Sequence, residues 1–129
     1  MKKLIAVLLI SVFGVSACGS SGGTVTNMNS AEFSKKISEP SVVVLDVRRT
    51  DEFVAGHLAS ALHIDVEAAN FESDVAKLDK TKTYAVYCHS GRRSLIAVDA
   101  MKKDGFESLV NLEGGISDWM ATGHPVITS

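Results

Sequence analysis

The chain has 129 residues, 46% of them hydrophobic and 22% charged, with a formal net charge of −2 that becomes −4 without Lys2 and Lys3. That is one globular domain of ordinary size. Aromatics are only 6% and no basic face is present, so a nucleic-acid partner is excluded.

Lys2 and Lys3 form a positive start, Leu4 to Val15 is an apolar run, and Val15-Ser16-Ala17-Cys18 places small residues before a cysteine. The run is shorter than the about 20 residues a membrane span needs, so it reads as a leader rather than as structure. The segment resembles the lipobox of bacterial lipoproteins, which implies a signal peptide over 1–17, acylation at Cys18 and a membrane-held product. A plain signal peptide cut near Ala17 and a short uncleaved anchor are the other readings. Gly19 stands where an aspartate would resemble an inner-membrane retention signal. Its identity favours the outer membrane, on the extracytoplasmic side of the cell envelope. Residues 18–24, rich in Gly and Ser, form a flexible tether, and the folded domain is expected over 25–129.

Along that domain, Asn29 and Glu32 have capping-box spacing and open a helix to about Ile37, stopped by Pro40. Ser41 to Val47 is a continuous β-branched run, as expected of a strand buried on both faces. Thr50 caps a brief helix over 51–55, which Gly56 ends. A short strand follows at 61–64. A helix over 71–78 sets Phe71, Val75 and Leu78 on one face. Thr83 to Tyr87 is the next strand, and a helix from about Leu95 ends at Lys102-Lys103 with Gly105 just beyond. Ser108 to Leu112 is a last strand, and Ile116 to Met120 a closing turn or helix. Strands alternating with helices predict an α/β fold, a central parallel sheet with helices on both faces. Ligands of such sheets sit beyond the strand carboxyl ends. Asp46-Val47-Arg48 and Cys88 lie at two of those ends and point to one crevice.

Cys88 carries the chemistry. It ends a strand and begins Cys88-His89-Ser90-Gly91-Arg92-Arg93-Ser94, with a helix directly after. Free N–H groups and the positive end of a helix dipole favour thiolate over thiol, and two arginines add charge. The only other cysteine is Cys18. If that one carries lipid, Cys88 is a lone thiol in an exported chain, where cysteines usually pair, and a lone thiol there points to reactivity. No Cys/His spacing suits a metal; His57, His63, His89 and His124 are scattered.

Four segments in order make the domain resemble a single-domain rhodanese, a sulfurtransferase family. They are Leu45-Asp46-Val47-Arg48; Glu52-Phe53-Val54-Ala55-Gly56-His57-Leu58-Ala59-Ser60-Ala61; Cys88 to Ser94, as Cys-x-x-Gly-x-Arg-Ser; and Leu112-Glu113-Gly114-Gly115-Ile116 with Trp119. Exported rhodaneses of the phage-shock type are similar. The resemblance implies a rhodanese-like fold and no cofactor. Its catalytic nucleophile would be Cys88, taking sulfane sulfur from a small anionic donor such as thiosulfate and passing it to a thiol or to cyanide. It also implies a loop of His89, Ser90, Gly91, Arg92, Arg93 and Ser94 around the substrate. There Arg93 would bind the donor's oxygens, Arg92 would stand at the rim or in solvent, and Ser94 would cap the helix while polarising the sulfur. Asp46 would brace the loop, Arg48 would pair within the domain, and His57 would be scaffold.

Two other readings share much of this pattern. Cysteine phosphatases and arsenate reductases use Cys-x5-Arg, whereas here the residue six after Cys88 is Ser94. A rhodanese-like sulfur carrier, or a module that binds a partner or senses redox state, would have the same loop.

Overall fold

The computed structural model describes residues 23–128. The leader, Cys18 and most of the expected tether lie outside them. Ten elements follow in chain order: β1 (Thr24–Met28), α1 (Ser30–Ile37), β2 (Val42–Asp46), α2 (Thr50–Ala55), β3 (Leu62–His63), α3 (Phe71–Val75), β4 (Thr83–Tyr87), α4 (Arg92–Lys103), β5 (Ser108–Leu112) and α5 (Gly115–Ala121). The strands form one sheet in the order β1-β5-β4-β2-β3, with every pair parallel.

The period-2 alternation of strand side chains divides the core into two layers. On one face Tyr84, Val86 and Cys88 meet Val98 and Met101 of α4 and Phe71 and Val75 of α3. On the other, Ala85 and Tyr87 meet Phe33 of α1 and Ile116 and Trp119 of α5. Burying each such aliphatic or aromatic side chain contributes about 1.5–3 kcal/mol. The chain runs from β2 to β3 on one side and returns to β4 on the other. The carboxyl ends of β2 and β4 therefore border a topological switch point, where a crevice opens.

The α/β architecture is the expected one, with several local differences. Thr24, read as tether, begins β1, and its N–H donates to the Glu107 carbonyl at 3.0 Å. β1 is an edge strand with exposed positions, so it lacks the apolar run that marks β2 and β4; its Thr-Val-Thr alternation is the signal that was available. Asn29 caps α1 as expected, accepting from the Glu32 N–H at 2.9 Å. Thr50 is not a cap but the first residue of α2, whose N-cap Arg49 makes no capping side-chain hydrogen bond. The helix expected over 71–78 stops at Val75, and Leu78 joins the core from the turn that follows.

At the end of β2 the Asp46 carboxylate accepts from the Arg48 N–H at 2.9 Å, from Nε at 3.0 and 3.1 Å and from NH2 at 2.7 Å. The same NH2 group donates to the Gly56 carbonyl at 2.6 Å, and the guanidinium lies 5.5 Å from the Tyr87 ring centroid. Arg48 thus pairs within the domain as expected. Asp46 differs from its expected role: the hydrogen bonds it accepts come from Arg48, not from the 88–94 loop. A rigid carboxylate two residues from Arg48 and wholly buried is best satisfied by the guanidinium that shares its burial.

Breaking that pair strands a buried charge. Arg48→Met is expected to destabilise the domain by about 3–5 kcal/mol in urea unfolding, and Asp46→Leu with Arg48→Met to recover more than half of that. Equal losses in the single and double variants would show that the pair is not what holds this end of β2.

Candidate active site

The loop after β4 is built around the Cys88 sulfur. Gly91 takes φ +97°, and its N–H donates to Cys88 Sγ at 3.1 Å. A Cβ at Gly91 would come within 2.0 Å of the Glu113 carbonyl oxygen, so no side chain fits there even if the backbone tolerated one. α4 begins at Arg92, and Ser94 lies in its first turn, fully buried. The helix N-cap is Gly91, without a side-chain bond, so Ser94 does not cap the helix as expected. It does meet the sulfur: the thiol donates to Ser94 Oγ at 3.4 Å, while that hydroxyl donates to the Gly91 carbonyl at 3.1 Å. Once the thiol loses its proton, the hydroxyl rotates its hydrogen toward Sγ.

Cys88 is 1% exposed and forms the floor of the cup. Burial pushes the thiol up, but the Ser94 hydroxyl and the backbone N–H groups of Ser94, Gly91 and Ser90 outweigh it, and the net direction is down. Hydrogen bonds to the anion are the larger lever; of the two arginines, Arg93 feels the thiolate charge and Arg92 points into solvent. A second sulfur bonded to Sγ would extend about 2 Å toward the mouth, still within reach of these donors.

The loop is held open from behind. The Ile116 N–H donates to the Cys88 carbonyl at 2.9 Å, and the Ser117 N–H to the His89 carbonyl at 3.0 Å. These are unpaired donors at the start of α5. Drawing the His89 carbonyl outward leaves the N–H of the same peptide, that of Ser90, toward the sulfur. Gly115, at φ +64°, makes the approach possible: a Cβ there would lie 2.3 Å from the His89 oxygen. Gly115 and Ile116 therefore belong to the site, and the Gly-Gly pair after β5 was the sequence signal for them.

The expected residues do not all converge. Arg93, expected to fork onto a donor's oxygens, already forks onto Glu52, with NH1 to Oε1 at 2.7 Å and NH2 to Oε2 at 2.9 Å. That guanidinium holds the Glu52 carboxyl down to about 2, and the Arg93 pKa is raised in return. Glu52 is thus part of the loop's support, carried on α2. His89 and Ser90 are exposed at the rim. His57 is buried scaffold: its ring stacks on Phe53 with centroids 3.9 Å apart, its Nδ1 lies 2.8 Å from the Phe53 carbonyl, and its backbone bridges Ile127.

Known proteins match this chain over the same region. The model of the family described as Rhodanese-like domain matches residues 29–122. A relative from Bacillus subtilis, named "Putative sulfur carrier protein YrkF", is 35% identical over 88 residues, which are 67% of this chain and 46% of that one. The chain thus spans under half the length of that relative. The thiosulfate sulfurtransferase GlpE of Coxiella burnetii is 33% identical over 89 residues, 69% of this chain and 80% of that protein. Among solved structures, a rhodanese-related protein from Thermoplasma volcanium superposes with a TM-score of 0.72 at 32% identity, covering 81% of this chain and 99% of its own.

The cup's geometry sets an expectation for reactivity. The alkylation rate of Cys88 against pH should show a midpoint below the about 8.5 of a free cysteine. Gly115→Ala, which forces His89 and Ser90 out of place, should move that midpoint up by about one unit or more. A midpoint unmoved by Gly115→Ala would show that the cup's N–H groups do not set the thiol's acidity.

Proposed function

The chain belongs to the rhodanese-like domain family, and from that premise we propose that it is a sulfurtransferase working through a Cys88 persulfide, with thiosulfate or a related sulfane donor as source. The observation that carries this is the Gly91 N–H aimed at Sγ, with Ser94 Oγ beside it, at the floor of a loop sized for one sulfur atom.

The chemistry follows in two steps. The Cys88 thiolate attacks the outer sulfur of thiosulfate; the new Sγ–S bond forms as the donor's S–S bond breaks, and sulfite leaves with the bonding pair. The charge on the transferred sulfur lies where the N–H groups of the cup converge. A thiophile then attacks that outer sulfur, the Sγ–S bond breaks, and its pair returns to Cys88 as thiolate. With cyanide the product is thiocyanate. Arg93 acts through its bond to Glu52, keeping the start of α4 and the loop in register, and its residual positive field favours the anionic intermediate. Arg92, in solvent, supplies long-range attraction for an anionic donor.

Phosphatase chemistry is disfavoured on the same geometry. Such loops place a guanidinium at the sixth position after the cysteine, and here that position delivers the Ser94 hydroxyl to the sulfur itself. A sulfur-carrier role is the second reading, supported by the name of the Bacillus subtilis relative. Turnover separates the two, since a carrier releases one sulfur per loaded chain to a dedicated acceptor.

Incubation with thiosulfate should add one sulfur, about 32 Da, to the intact mass, and cyanide should remove it. Cys88→Ser should abolish both the adduct and thiocyanate release. An aryl phosphatase activity without any sulfur adduct would overturn the assignment.

For location, the reading that best fits Val15-Ser16-Ala17-Cys18 is a lipid anchor at Cys18 on the extracytoplasmic face, in the outer membrane where the host has one. Cys18→Ser should yield an unprocessed or soluble exported form. Unchanged mass and unchanged membrane fractionation of that variant would rule the anchor out.

A further inference from the structure

Beside the cup lies a cavity of about 320 Å³, bounded by Arg48, Glu52, Ala55, Gly56, His89, Ile116, Met120 and Val126. Its walls are the residues that hold the loop. Ile116 donates its N–H to the Cys88 carbonyl, Glu52 holds Arg93, and His89 is the chain neighbour of the nucleophile. The charged members are already engaged: Arg48 with Asp46, and Glu52 with Arg93. What remains for an occupant is an apolar surface made by Ala55, Ile116, Met120 and Val126. Met120 is 49% exposed although its neighbour Trp119 is buried, and an uncovered apolar side chain beside a reactive centre offers contact area to a substrate. The wall is firm. Ile127, next to Val126, exchanges both backbone hydrogen bonds with His57 at 2.8 Å, and Trp119 Nε1 donates to the Pro125 carbonyl at 2.9 Å.

An inorganic anion gains nothing from such a surface, because the cavity's charged members are each already paired. A carbon skeleton does gain. We propose that this cavity is the subsite for the carbon body of the sulfur acceptor, a low-molecular-weight organic thiol with an apolar chain, and that Met120 and Ala55 set its preference. The inference rests on the sulfurtransferase reading above and extends it to the second half-reaction. There the acceptor thiolate R–S⁻ attacks the outer sulfur of Cys88–S–SH, the Sγ–S bond breaks with its pair returning to Cys88, and R–S–SH leaves. The sulfane sulfur moves without change in the overall count of electrons or protons. The volume is at the lower end for ligand pockets, which suits a few carbon atoms rather than a large cofactor.

The test uses the protein loaded with sulfur, by thiosulfate or by inorganic polysulfide, with unloading followed by intact mass in single turnover. Ethanethiol and 1-butanethiol, matched in acidity and differing by two methylenes, are compared at equal thiolate concentration, with cyanide as the inorganic reference. At about fourfold per fully buried methylene, partial burial of both makes butanethiol about tenfold faster in the second-order regime. Met120→Trp and Ala55→Leu, both at exposed helix positions that can hold the larger side chain, fill the cavity from opposite sides. Each should lower the butanethiol-to-cyanide rate ratio about tenfold. An adduct that forms and clears, with equal rates for the two thiols or with ratios unmoved in both variants, would overturn the subsite alone. Failure of both donors to load Cys88 would overturn the sulfurtransferase reading, and this inference with it.

Discussion

Two hydrogen bonds behind Cys88 organise the site: Ile116 N–H to the Cys88 carbonyl and Ser117 N–H to the His89 carbonyl. Each peptide has its carbonyl and its N–H on opposite sides. Fixing the His89 carbonyl against α5 therefore turns the N–H of that peptide, which belongs to Ser90, toward the sulfur. A helix N-terminus has donors to spare, so this orientation costs α5 none of its internal bonds. The approach has to be close, and two glycines with positive φ at the site, Gly91 and Gly115, stand where any Cβ would strike the opposing backbone. The cup is thus made by backbone meeting backbone, and side chains only refine it.

Two ion pairs then join that cup to the rest of the sheet. Asp46 and Arg48 are almost fully buried at the end of β2, and Arg48 ties this end to Gly56 beyond α2. α2 in turn carries Glu52, which grips Arg93 in the first turn of α4. Sheet, short helix and loop are linked by a series of charge-assisted bonds, each with its partner satisfied. Such bonds add little net stability once desolvation is counted, yet they penalise any arrangement that leaves one charge alone. Their effect here is positional. They also neutralise most of the charge near the sulfur, so stabilisation of the thiolate falls to the N–H groups and the Ser94 hydroxyl rather than to bare guanidinium.

Much of this was legible in the sequence because the signals were local. β4 and β5 have the bounds that their apolar runs predict, and Asn29 caps α1 through the spacing of Asn29 and Glu32. Cys88 at the end of a strand and the start of a helix is a statement about adjacent residues, and so is the need for glycine at position 91. β1 was missed because an edge strand with one weakly buried face carries few apolar residues. α3 is shorter than its periodicity predicts, because Leu78 reaches the core from a turn and so mimics another helical turn.

The partners of charged and capping groups were decided elsewhere. Nothing near Arg93 in the chain announces Glu52, 41 residues away, and no local pattern distinguishes a guanidinium that binds substrate from one already paired. Asp46 could have served the loop or its neighbour, and the choice fell to Arg48 because both are buried at the same strand end. By itself the sequence determined the alternation of strands and helices, the placing of Cys88 at a strand end and the short loop around it, since these depend on residue type at fixed spacing. Only the tertiary structure decided which carbonyls α5 holds, which carboxylate meets which guanidinium and what lines the cavity beside the cup. Those contacts form between segments brought together by sheet order, and a linear chain carries no record of them.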